Sequence, residues 1–429
     1  MKRIIFLISF TAIALFSCKK STDDEYPVVN WISPANGIQI NVMDTLHVQL
    51  HLTDNDGLNS LEVKLVNAQM IQVMPSVFFP LHGKTADVDF IYPVNSIRLA
   101  TGSYYLNAQL SDGSNIQNSY RNIYVTAVPR VFKGFFAAIT PNSNNFTIYK
   151  TDTNWVPAQY ANQSSDFGDM EVSSYWQQLY FSGSVTGNLR AMSLDGLTSG
   201  FSITPLISTQ PYWGLMSTNN SRLTVSYRND DHVKSLDENG VVAFNGTGDN
   251  GFYPIHNIQI GNRTYSEQKD ISSSTVKMVV YISNGVPLQE TLLGMNAVAM
   301  FEKDSNDVYV LGNNAGQGHL EIYDALANGL WEPIVLPAGT VTSAAEIDPN
   351  TLLIGMSDGT VYTFTYSPVG LLTWTSGINP SQLRYNDVDG KVFSAEGMNV
   401  KEYNYNPFSL TRTIAVPDSV RDLELWYNR

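Results

Sequence analysis

The chain has 429 residues, of which 43% are hydrophobic and only 15% are charged, and its formal net charge is −14 at pH 7. This length is enough for two domains, and the charged fraction lies below the average of about 25% for globular proteins. The acidic excess opposes charge-driven binding to nucleic acid or to an anionic membrane surface, so no nucleic-acid partner is expected.

Residues 1–17 have the pattern of a secretory leader. Lys2 and Arg3 precede an apolar run over residues 4–16, which is too short for an ordinary spanning helix and suits the core of a signal peptide. The run ends in Leu15-Phe16-Ser17-Cys18. This sequence resembles a bacterial lipobox, which implies cleavage after residue 17 and lipidation of Cys18. The alternative is an ordinary cleaved leader with an incidental cysteine.

Residues 18–26 are predicted to be a solvated tether because they are polar and charged. An acidic cluster, Asp23-Asp24-Glu25, follows Cys18 closely and resembles the surface-export signal of Bacteroidota lipoproteins. The resemblance implies an outer-membrane anchor through Cys18, with the protein facing outward from the cell. A plain spacer on a periplasm-facing protein is the alternative.

Residues 27–128 are predicted to form a β-sandwich, since short alternating runs occur at 45–50, 61–65 and 104–108. Three turn motifs separate such runs: Ser33-Pro34-Ala35-Asn36-Gly37, Asp54-Asn55-Asp56-Gly57 and Asp112-Gly113. Their order resembles the bacterial Ig-like domains of surface proteins, which usually act as spacers. A hinge is expected at Val128-Pro129, because proline disfavours continued regular pairing.

Residues 130–429 carry a repeat. Its first markers are Asp195-Gly196, Asn239-Gly240, Asn284-Gly285 and Asn328-Gly329, at spacings of 44, 45 and 44 residues. Asp-Gly and Asn-Gly suit two-residue hairpin turns of type I′, in which both central residues need positive φ. A period in the low forties with strand-like filling is typical of a β-propeller.

Two further series of runs share this period. Alternating runs occur at 146–149, 189–192, 233–236, 276–279, 320–323, 361–364 and 400–403. More apolar runs precede them at 135–137, 179–181, 223–225, 263–265, 308–310, 352–354 and 392–394. The first unit lacks a strand before it and residues 420–426 form a lone last strand, so the two together complete one blade and protect the sheet edges. The sequence thus predicts an all-β protein, an Ig-like sandwich followed by a seven-bladed propeller similar to the WD40/YVTN class.

Motifs with catalytic chemistry are weak. Gly355-Met356-Ser357-Asp358-Gly359 fits a nucleophile-elbow pattern, but strand-like runs flank it on both sides, so a hairpin loop is predicted. Asp54-Asn55-Asp56-Gly57 lacks the ligand spacing of a calcium loop, and His47 and His51 are too far apart along a strand to share one metal. We predict no catalytic residue, no cofactor and no metal site.

Two aromatic loops are the predicted ligand-binding residues. Both lie between the outer strand of one blade and the inner strand of the next, beside a polar loop. The candidates are Tyr212, Trp213, Phe252, Tyr253, Arg228 and Asn229. Aromatic rings beside amide and charged groups can stack on a flat ligand or a sugar while hydrogen-bonding its edges. The alternative is that these rings pack between blades.

The resulting expectation is a cell-envelope lipoprotein that acts as a non-enzymatic binding platform for a glycan, a small nutrient or an envelope protein. The arrangement resembles surface propeller lipoproteins of Bacteroidota, some of which serve nutrient capture. The alternative is a propeller enzyme, such as a lyase, hydrolase or quinoprotein, with its site at the central channel. Arg384, Arg421, Asp422 and Glu424 lie on predicted inner strands and could supply that site. A purely structural partner in an envelope complex is the third possibility.

Overall fold

The structure is a computed structural model that describes residues 25–206, 211–219 and 222–429. The predicted signal peptide, Cys18 and most of the predicted tether lie outside the described residues. Within those ranges all regular structure is β, and no helix is long and apolar enough to cross a membrane. The chain divides into two compact units, the first ending at Pro129 and the second spanning Arg130–Arg429.

The first unit is a sandwich of two sheets. Its strands are β1 (Val28–Ser33), β2 (Ile38–Asn41), β3 (Thr45–Thr53), β4 (Ser60–Val66), β5 (Val77–Pro80), β6 (Thr85–Pro93), β7 (Gly102–Ser111) and β8 (Ile116–Thr126). One sheet has the order β1-β3-β6 and the other the order β2-β8-β7-β4-β5, with β2 parallel to β8. The alternation along β3, where Leu46, Val48 and Leu50 are buried between exposed neighbours, places one face of each sheet in a shared apolar core.

The second unit contains the remaining strands. The first three are β9 (Phe132–Asn142), β10 (Asn145–Asp152) and β11 (Ala158–Gln163). Six runs of four follow: β12 (Asp169–Ser173), β13 (Gln178–Ser182), β14 (Leu189–Ser193), β15 (Ser199–Ile203); β16 (Trp213–Asn219), β17 (Arg222–Tyr227), β18 (His232–Leu236), β19 (Val242–Thr247); β20 (Phe252–Ile260), β21 (Arg263–Asp270), β22 (Val276–Ile282), β23 (Pro287–Leu293); β24 (Asn296–Glu302), β25 (Asp307–Asn314), β26 (Gln317–Asp324), β27 (Gly329–Trp331); β28 (Val341–Asp348), β29 (Thr351–Met356), β30 (Thr360–Thr365), β31 (Gly370–Ser376); β32 (Gln382–Asn386), β33 (Lys391–Glu396), β34 (Asn399–Asn404), β35 (Ser409–Ala415). The last strand is β36 (Val420–Tyr427).

These strands form seven four-stranded antiparallel sheets in the described part of the chain. Each run of four makes one sheet, and β36 pairs with β9 to complete the sheet β36-β9-β10-β11. We call β12, β16, β20, β24, β28, β32 and β36 the inner strands. Each inner strand contacts the next, and β36 contacts β12, so the sheets form a closed ring, which is the architecture of a β-propeller.

Apolar clusters fill the spaces between neighbouring sheets. The cluster at the ring closure joins Phe135 and Ala137 of β9 to Phe393 and Ala395 of β33, and a cluster of the same kind lies at each of the other six junctions. The second strand is therefore the most deeply buried in most sheets, and in the sheet β20-β21-β22-β23 the third strand, β22, is buried still further. This explains why the apolar series in the sequence coincides with the second strands.

A polar side chain also bridges each pair of neighbouring sheets. Four bridges use side chains of Asp422, Asp169, Glu267 and Asn313, which accept hydrogen bonds from the backbone N–H groups of Met170, Met216, Ala297 and Val341 at 3.1, 2.6, 2.8 and 2.8 Å. The remaining three run from Asn257 to the carbonyl of Leu215, from Ser343 to the carbonyl of Pro380, and from Arg384 to Glu424. Because each bridge satisfies a polar group that packing would otherwise leave unpaired, the ring is held by polar contacts as well as apolar burial.

The repeated Asx-Gly turns differ from the expected type I′ geometry. At three of them only the glycine has positive φ, as at Gly285 with φ 84°. Gly285 N–H donates to the Ile282 carbonyl at 2.9 Å and Ile282 N–H donates to the Val286 carbonyl at 3.1 Å, which is a type I turn closed by a glycine bulge. At the fourth turn Asn328, not Gly329, has positive φ, 50°. The turns lie where the repeat predicts them. The loop at Asn284-Gly285 has one residue more than a two-residue turn, and at the fourth turn Asp324 pairs with Gly329, so the loop has two more.

Candidate functional site

A cavity of about 550 Å³ lies at the centre of the ring and is lined by residues from all seven inner strands or the loops that lead into them. A second cavity of about 390 Å³ shares Glu346, Arg384, Tyr385 and Glu424 with it and extends toward Asp387 and the ends of the inner strands. The two cavities form successive parts of the central channel. The residues that they share mark the boundary between them.

β-Bulges shape the wall of the larger cavity. Five inner strands contain one residue more than their neighbour across the same stretch, near the start of the strand. The bulged segments place Leu215, His256, Val298, Thr342 and Arg421 in the cavity wall. Bulges redirect side chains and are common beside binding sites. The same bulge geometry therefore presents a different kind of side chain to the cavity in each of the five sheets.

One side of the cavity wall is charged. It is built from the adjacent inner strands β32, β36 and β12, which contribute Arg384, Asp422, Glu424, Asp169 and Glu171. Arg384 Nε donates to Glu424 Oε1 at 2.9 Å, and an Arg384 terminal nitrogen lies 3.5 Å from Asp422 Oδ1. The guanidinium thus contacts two of the four carboxyl groups, and its charge also lowers the pKa of Glu171. We call these five residues the charged cluster.

Burial governs the protonation of the charged cluster. Removal from water raises the pKa of Asp169 well above its ordinary value, and the neighbouring Asp422 raises it further. The pKa of Glu171 is also raised well above its ordinary value, by burial and then by Glu424. Asp422 forms a side-chain hydrogen bond with Asp169, and such a contact requires a proton on one of the two carboxyl groups. Asp169 and Asp422 therefore share a proton in this arrangement.

Two carboxyl groups at the boundary of the cavities titrate near neutral pH. Burial raises the pKa of Glu424 to about 7 against the opposing effect of Arg384. Burial, followed by the charges of Glu302 and Asp348, raises the pKa of Glu346 to about 7. The negative charge of the channel therefore increases across the physiological pH range.

The other side of the wall is mainly apolar. Inner strands β16, β20 and β24 contribute Leu215, Ile258, Val298, Met300 and Phe301 to it. We call this surface, with the other cavity-lining residues of the three strands, the apolar half. The polarity of the wall thus changes from one side of the ring to the other. A ligand that fills the cavity must match both surfaces.

His256 is the titratable residue that these three strands contribute to the cavity. Its Nδ1 forms a short contact with Glu267 Oε2, while Glu267 Oε1 accepts the Ala297 N–H at 2.8 Å. Glu267 is fully buried. The carboxylate therefore fixes the orientation of the imidazole, as it does in many functional histidines.

In the described ranges no group of three or more His, Cys, Asp or Glu side chains could hold a metal ion. Asp54 Oδ1 accepts the N–H groups of Asp56 and Gly57 at 2.9 and 2.6 Å, which is turn geometry. Gly355 to Gly359 joins β29 to β30 in a hairpin, as predicted.

The structure separates the six predicted ligand-binding residues. Tyr212 and Trp213 are buried, with 6% and 2% of their surface exposed. They pack against Tyr227 with ring centroids 6.0 and 4.8 Å away, and Trp213 Nε1 donates to the Gly187 carbonyl at 2.8 Å. These two rings therefore lie between sheets.

The other four predicted residues lie nearer the surface. The Arg228 guanidinium lies 4.6 Å from the centroid of the Tyr253 ring, and Asn229 beside it is exposed. Phe252 is half-buried and stacks under the Lys277 ammonium at 4.3 Å. Arg228 and Tyr253 are half-buried, and Asn229 is exposed.

Sequence reasoning found only part of the central cavity. Arg384, Asp422 and Glu424 were named as possible inner-strand groups, and the structure brings them together. Arg421 also lines the cavity, where its Nε donates to Thr140 at 2.9 Å. The residues that sequence reasoning missed are Asp169, Glu171, His256, Glu267 and Glu346. Two acidic residues at alternate positions, as in 169–171 and 422–424, were a usable signal, because alternate residues on an inner strand face the channel together.

Comparison with known proteins gives limited information. No family model and no curated protein matches the sequence. A solved quinonprotein alcohol dehydrogenase-like protein of Bacteroides thetaiotaomicron is similar over 94% of this chain and 99% of its own, with 14% identity and a TM-score of 0.47. The WD40 β-propeller domain of Doa1 covers 70% of this chain and 94% of its own, with 12% identity and a TM-score of 0.49. Kuenenia stuttgartiensis hydrazine synthase covers 68% and 98%, with 12% identity and a TM-score of 0.48. At TM-scores below 0.5 these likenesses carry no functional conclusion, and the propeller assignment rests on the ring of sheets.

Proposed function

We propose that this chain is a lipid-anchored cell-envelope protein whose propeller binds a small organic amine in its central cavity without transforming it. Seven four-stranded sheets support a seven-bladed propeller, and the two-sheet sandwich of the first unit supports an Ig-like spacer domain. The observation that carries the binding proposal is the division of the cavity wall into a charged cluster and an apolar half. A small nutrient or a signal molecule of this chemistry would fit the cavity better than a protein would.

The cavity favours a positively charged ligand. The charged cluster holds four carboxyl groups and one guanidinium, and burial opposes ionisation of all four carboxyl groups. An ammonium group would take the place of the bound protons and stabilise the ionised carboxylates. The apolar half would remove the body of the ligand from water, which contributes about 25 cal/mol per Å² of apolar surface.

The test compares phenethylamine with 2-phenylethanol, which replaces the ammonium with a hydroxyl, by titration calorimetry at pH 8. We expect the amine to bind at least tenfold more tightly, since a charged hydrogen bond contributes about 1.5–3 kcal/mol. Glu171→Gln should reduce this ratio, while Glu332→Gln, away from the cavity, should leave it unchanged. Equal affinities for the two probes, or no saturable binding of either, would contradict the proposal.

The pH dependence of the same titration supplies a second criterion. Because the pKa values of Asp169 and Glu171 are raised, protons compete with the amine more strongly as the pH falls. Affinity for phenethylamine should therefore decrease between pH 8 and pH 5.5. An affinity that stays constant over this range would show that the charged cluster does not bind the ammonium.

An enzyme acting in the same cavity is the second candidate, and one observation favours it. His256 is oriented by a buried carboxylate, and the pKa of Glu346 in the same wall is about 7, which suits acid–base chemistry at neutral pH. Incubation of the protein with any amine that it binds, followed by mass spectrometry, distinguishes the two functions. Conversion of the amine at a rate that depends on His256 would favour the enzyme.

A further binding surface is proposed at Arg228, Asn229 and Tyr253, with Phe252 beside them. The stacked guanidinium and tyrosine ring present a flat face with hydrogen-bond donors at its edge, which suits a sugar ring. A glycan array probed with wild type and Tyr253→Ala tests this surface. Glycan binding that survives the substitution would exclude it.

Membrane attachment is proposed at Cys18, with the protein facing outward from the outer membrane and facing the periplasm as the alternative. The leader, the lipobox-like sequence and the acidic cluster of the tether support this. Cys18→Ser should release the protein from the membrane fraction, because acyl chains supply the anchor. Protease added to intact cells should degrade a surface-facing protein and spare a periplasmic one.

A further inference from the structure

His256 occupies a special position in the apolar half. Pro254 pairs with Gln268 and Asn257 pairs with Ser266, so Ile255 and His256 together lie opposite Glu267. This bulge brings the imidazole into the cavity wall while Nδ1 remains in contact with the buried Glu267 carboxylate. The bulge and the carboxylate together set the direction of the ring.

The other polar groups of the apolar half are already satisfied within the protein. Ser217 Oγ donates to Asn257 Oδ1 at 2.6 Å, and Asn257 Nδ2 donates to the Leu215 carbonyl at 2.8 Å. Thr218 Oγ1 lies 3.2 Å from the Val172 carbonyl and 3.3 Å from Glu171. His256 Nε2 has no hydrogen-bond partner among the described residues of the cavity wall. The His256 side chain keeps 16% of its surface exposed, so a partner for Nε2 can come from the cavity.

The tautomer of His256 determines what that partner can be. A carboxylate that accepts from Nδ1–H keeps the proton on Nδ1, so Nε2 of the neutral ring is an acceptor. An acceptor at this point selects a donor on the ligand, and a hydroxyl is the neutral donor that fits an otherwise apolar surface. An ether oxygen or a carboxylate is itself only an acceptor, so it could not form a hydrogen bond with Nε2.

We propose that His256 Nε2 accepts a hydrogen bond from a ligand hydroxyl, so that the cavity selects hydroxylated organic amines over amines that lack the hydroxyl. This inference rests on the proposed function, because it assumes that the amine lies at the charged cluster. Glu267 acts as a positioning residue that sets the tautomer of His256. The ligand class is an amine with an apolar body and a hydroxyl at the end remote from the ammonium.

Three probes isolate the hydroxyl. Tyramine carries a hydroxyl donor, 4-methoxyphenethylamine carries only an acceptor at the same position, and phenethylamine carries neither. Titration calorimetry at pH 8.5 gives a dissociation constant for each probe. Wild type should bind tyramine about three- to tenfold more tightly than phenethylamine, the range expected for one neutral hydrogen bond. Wild type should bind the methoxy probe no more tightly than phenethylamine.

Variants separate the role of each residue. His256→Phe removes the acceptor and keeps a ring, so tyramine and phenethylamine should bind equally. His256→Leu, which also lacks an acceptor, serves the same purpose if the phenylalanine prevents folding. Glu267→Gln presents an amide N–H to Nδ1, which moves the imidazole proton to Nε2. The affinity for the methoxy probe relative to phenethylamine should then rise above one, whereas tyramine should keep its preference because its hydroxyl can also accept. His319→Phe, on β26 outside the cavity, is the matched control and should behave as wild type.

The outcomes separate the two proposals. If all three amines bind wild type with the same affinity, or if the tyramine preference survives both His256 substitutions, the inference is overturned and the proposed amine site stands. If none of the three amines binds at millimolar concentration, the proposed function fails and the inference fails with it. A Glu267→Gln variant whose probe preference equals that of wild type would overturn the positioning role of Glu267.

Discussion

Glu346 links the chemistry of the channel to stability at the scale of one residue. Its pKa is raised from 4.5 to about 7, first by burial and then by Glu302 and Asp348. The folded state therefore binds this proton more tightly than the unfolded state does. The stabilisation is fully present below pH 4.5 and is lost as the pH rises to about 7 and above.

Glu346→Gln should abolish the loss of stability at high pH, because glutamine resembles the protonated acid at every pH. We expect the variant to be more stable than wild type by about 1–3 kcal/mol at pH 8 and to match it at pH 4.5. Urea unfolding at the two pH values measures the difference, with Glu332→Gln as the control. A stability difference that is the same at both pH values would show that Glu346 is not buried in its charged form.

Trp213 distinguishes a packing role from a binding role among the aromatic residues. The ring is 2% exposed and donates to the Gly187 carbonyl at 2.8 Å. Trp213→Phe removes the donor and leaves part of the site empty, so it should lower the free energy of unfolding by about 2–4 kcal/mol. Tyr253→Ala, which removes a surface ring stacked on Arg228, should lower it by about 1 kcal/mol or less. Similar losses in the two variants, measured by urea unfolding, would contradict this assignment.

The sequence placed these aromatic residues in the right loops and could not decide their orientation. Tyr212-Trp213 and Phe252-Tyr253 occupy equivalent positions in the repeat, and residue type alone suits both packing and binding. The structure differs between the loops because Trp213 finds an acceptor at Gly187 and a partner ring at Tyr227. Such partners come from distant parts of the repeat, so local sequence does not reveal them.

At the scale of elements, the Asx-Gly turns show how the same dipeptide can have different backbone requirements. A Cβ atom at Gly285, which has a φ of 84°, would lie 2.0 Å from the Asn245 carbonyl oxygen. At Gly329 a Cβ atom would meet nothing within 4 Å, because Asn328 takes the left-handed conformation instead. Period and composition predict the position of such turns, whereas the number of loop residues decides which residue needs positive φ.

Gly285→Ala and Gly329→Ala are therefore a matched pair. The first should lower the free energy of unfolding by at least about 2 kcal/mol, because it adds both a left-handed alanine and a backbone clash. The second should change it by less than about 0.5 kcal/mol. Thermal and urea unfolding of the two variants measure both effects. Equal losses would imply that the four turns share one geometry.

The inner strands were the elements least visible in sequence. The second strands are continuous apolar runs and the third strands carry the other series of runs, and both lie at the positions that the repeat predicts. The inner strands instead contain bulges that break the two-residue period. These bulges also place His256 and Arg421 in the cavity wall. The bulges that make the inner strands hard to recognise in the sequence therefore also shape the candidate site.

At the scale of the whole molecule, the cavity exists only when the ring is closed. The charged cluster brings β12 next to β36, although Asp169 and Asp422 are separated by about 250 residues. The period of the repeat could predict closure of the ring, and it placed Arg384, Asp422 and Glu424 on predicted inner strands. It could not show that Asp169 and Glu171 join them, since that contact depends on the ring as a whole.

Closure also predicts which rearrangements of the second unit will fold. Its two ends are adjacent, since Asn428 N–H donates to the Val131 carbonyl at 3.1 Å and Val131 N–H donates to Asn428 Oδ1 at 2.7 Å. A permutant that joins residue 429 to residue 130 through a short linker, and opens at Asn328-Gly329, keeps every sheet. A chain that ends at residue 418 lacks β36 and leaves the inner edge of β9 unpaired.

The permutant should therefore unfold cooperatively and should bind phenethylamine as the intact chain does, because chain termini can be moved when they lie close together at the surface. The truncated chain should lose the cooperative transition of the propeller and should no longer bind the amine. Without β36 it lacks one side of the apolar cluster at the ring closure and exposes a strand edge. Calorimetric melting and amine titration of the two proteins give the comparison. A truncated chain that melts and binds as the permutant does would mean that each sheet is stable alone, and that the cavity does not require the ring.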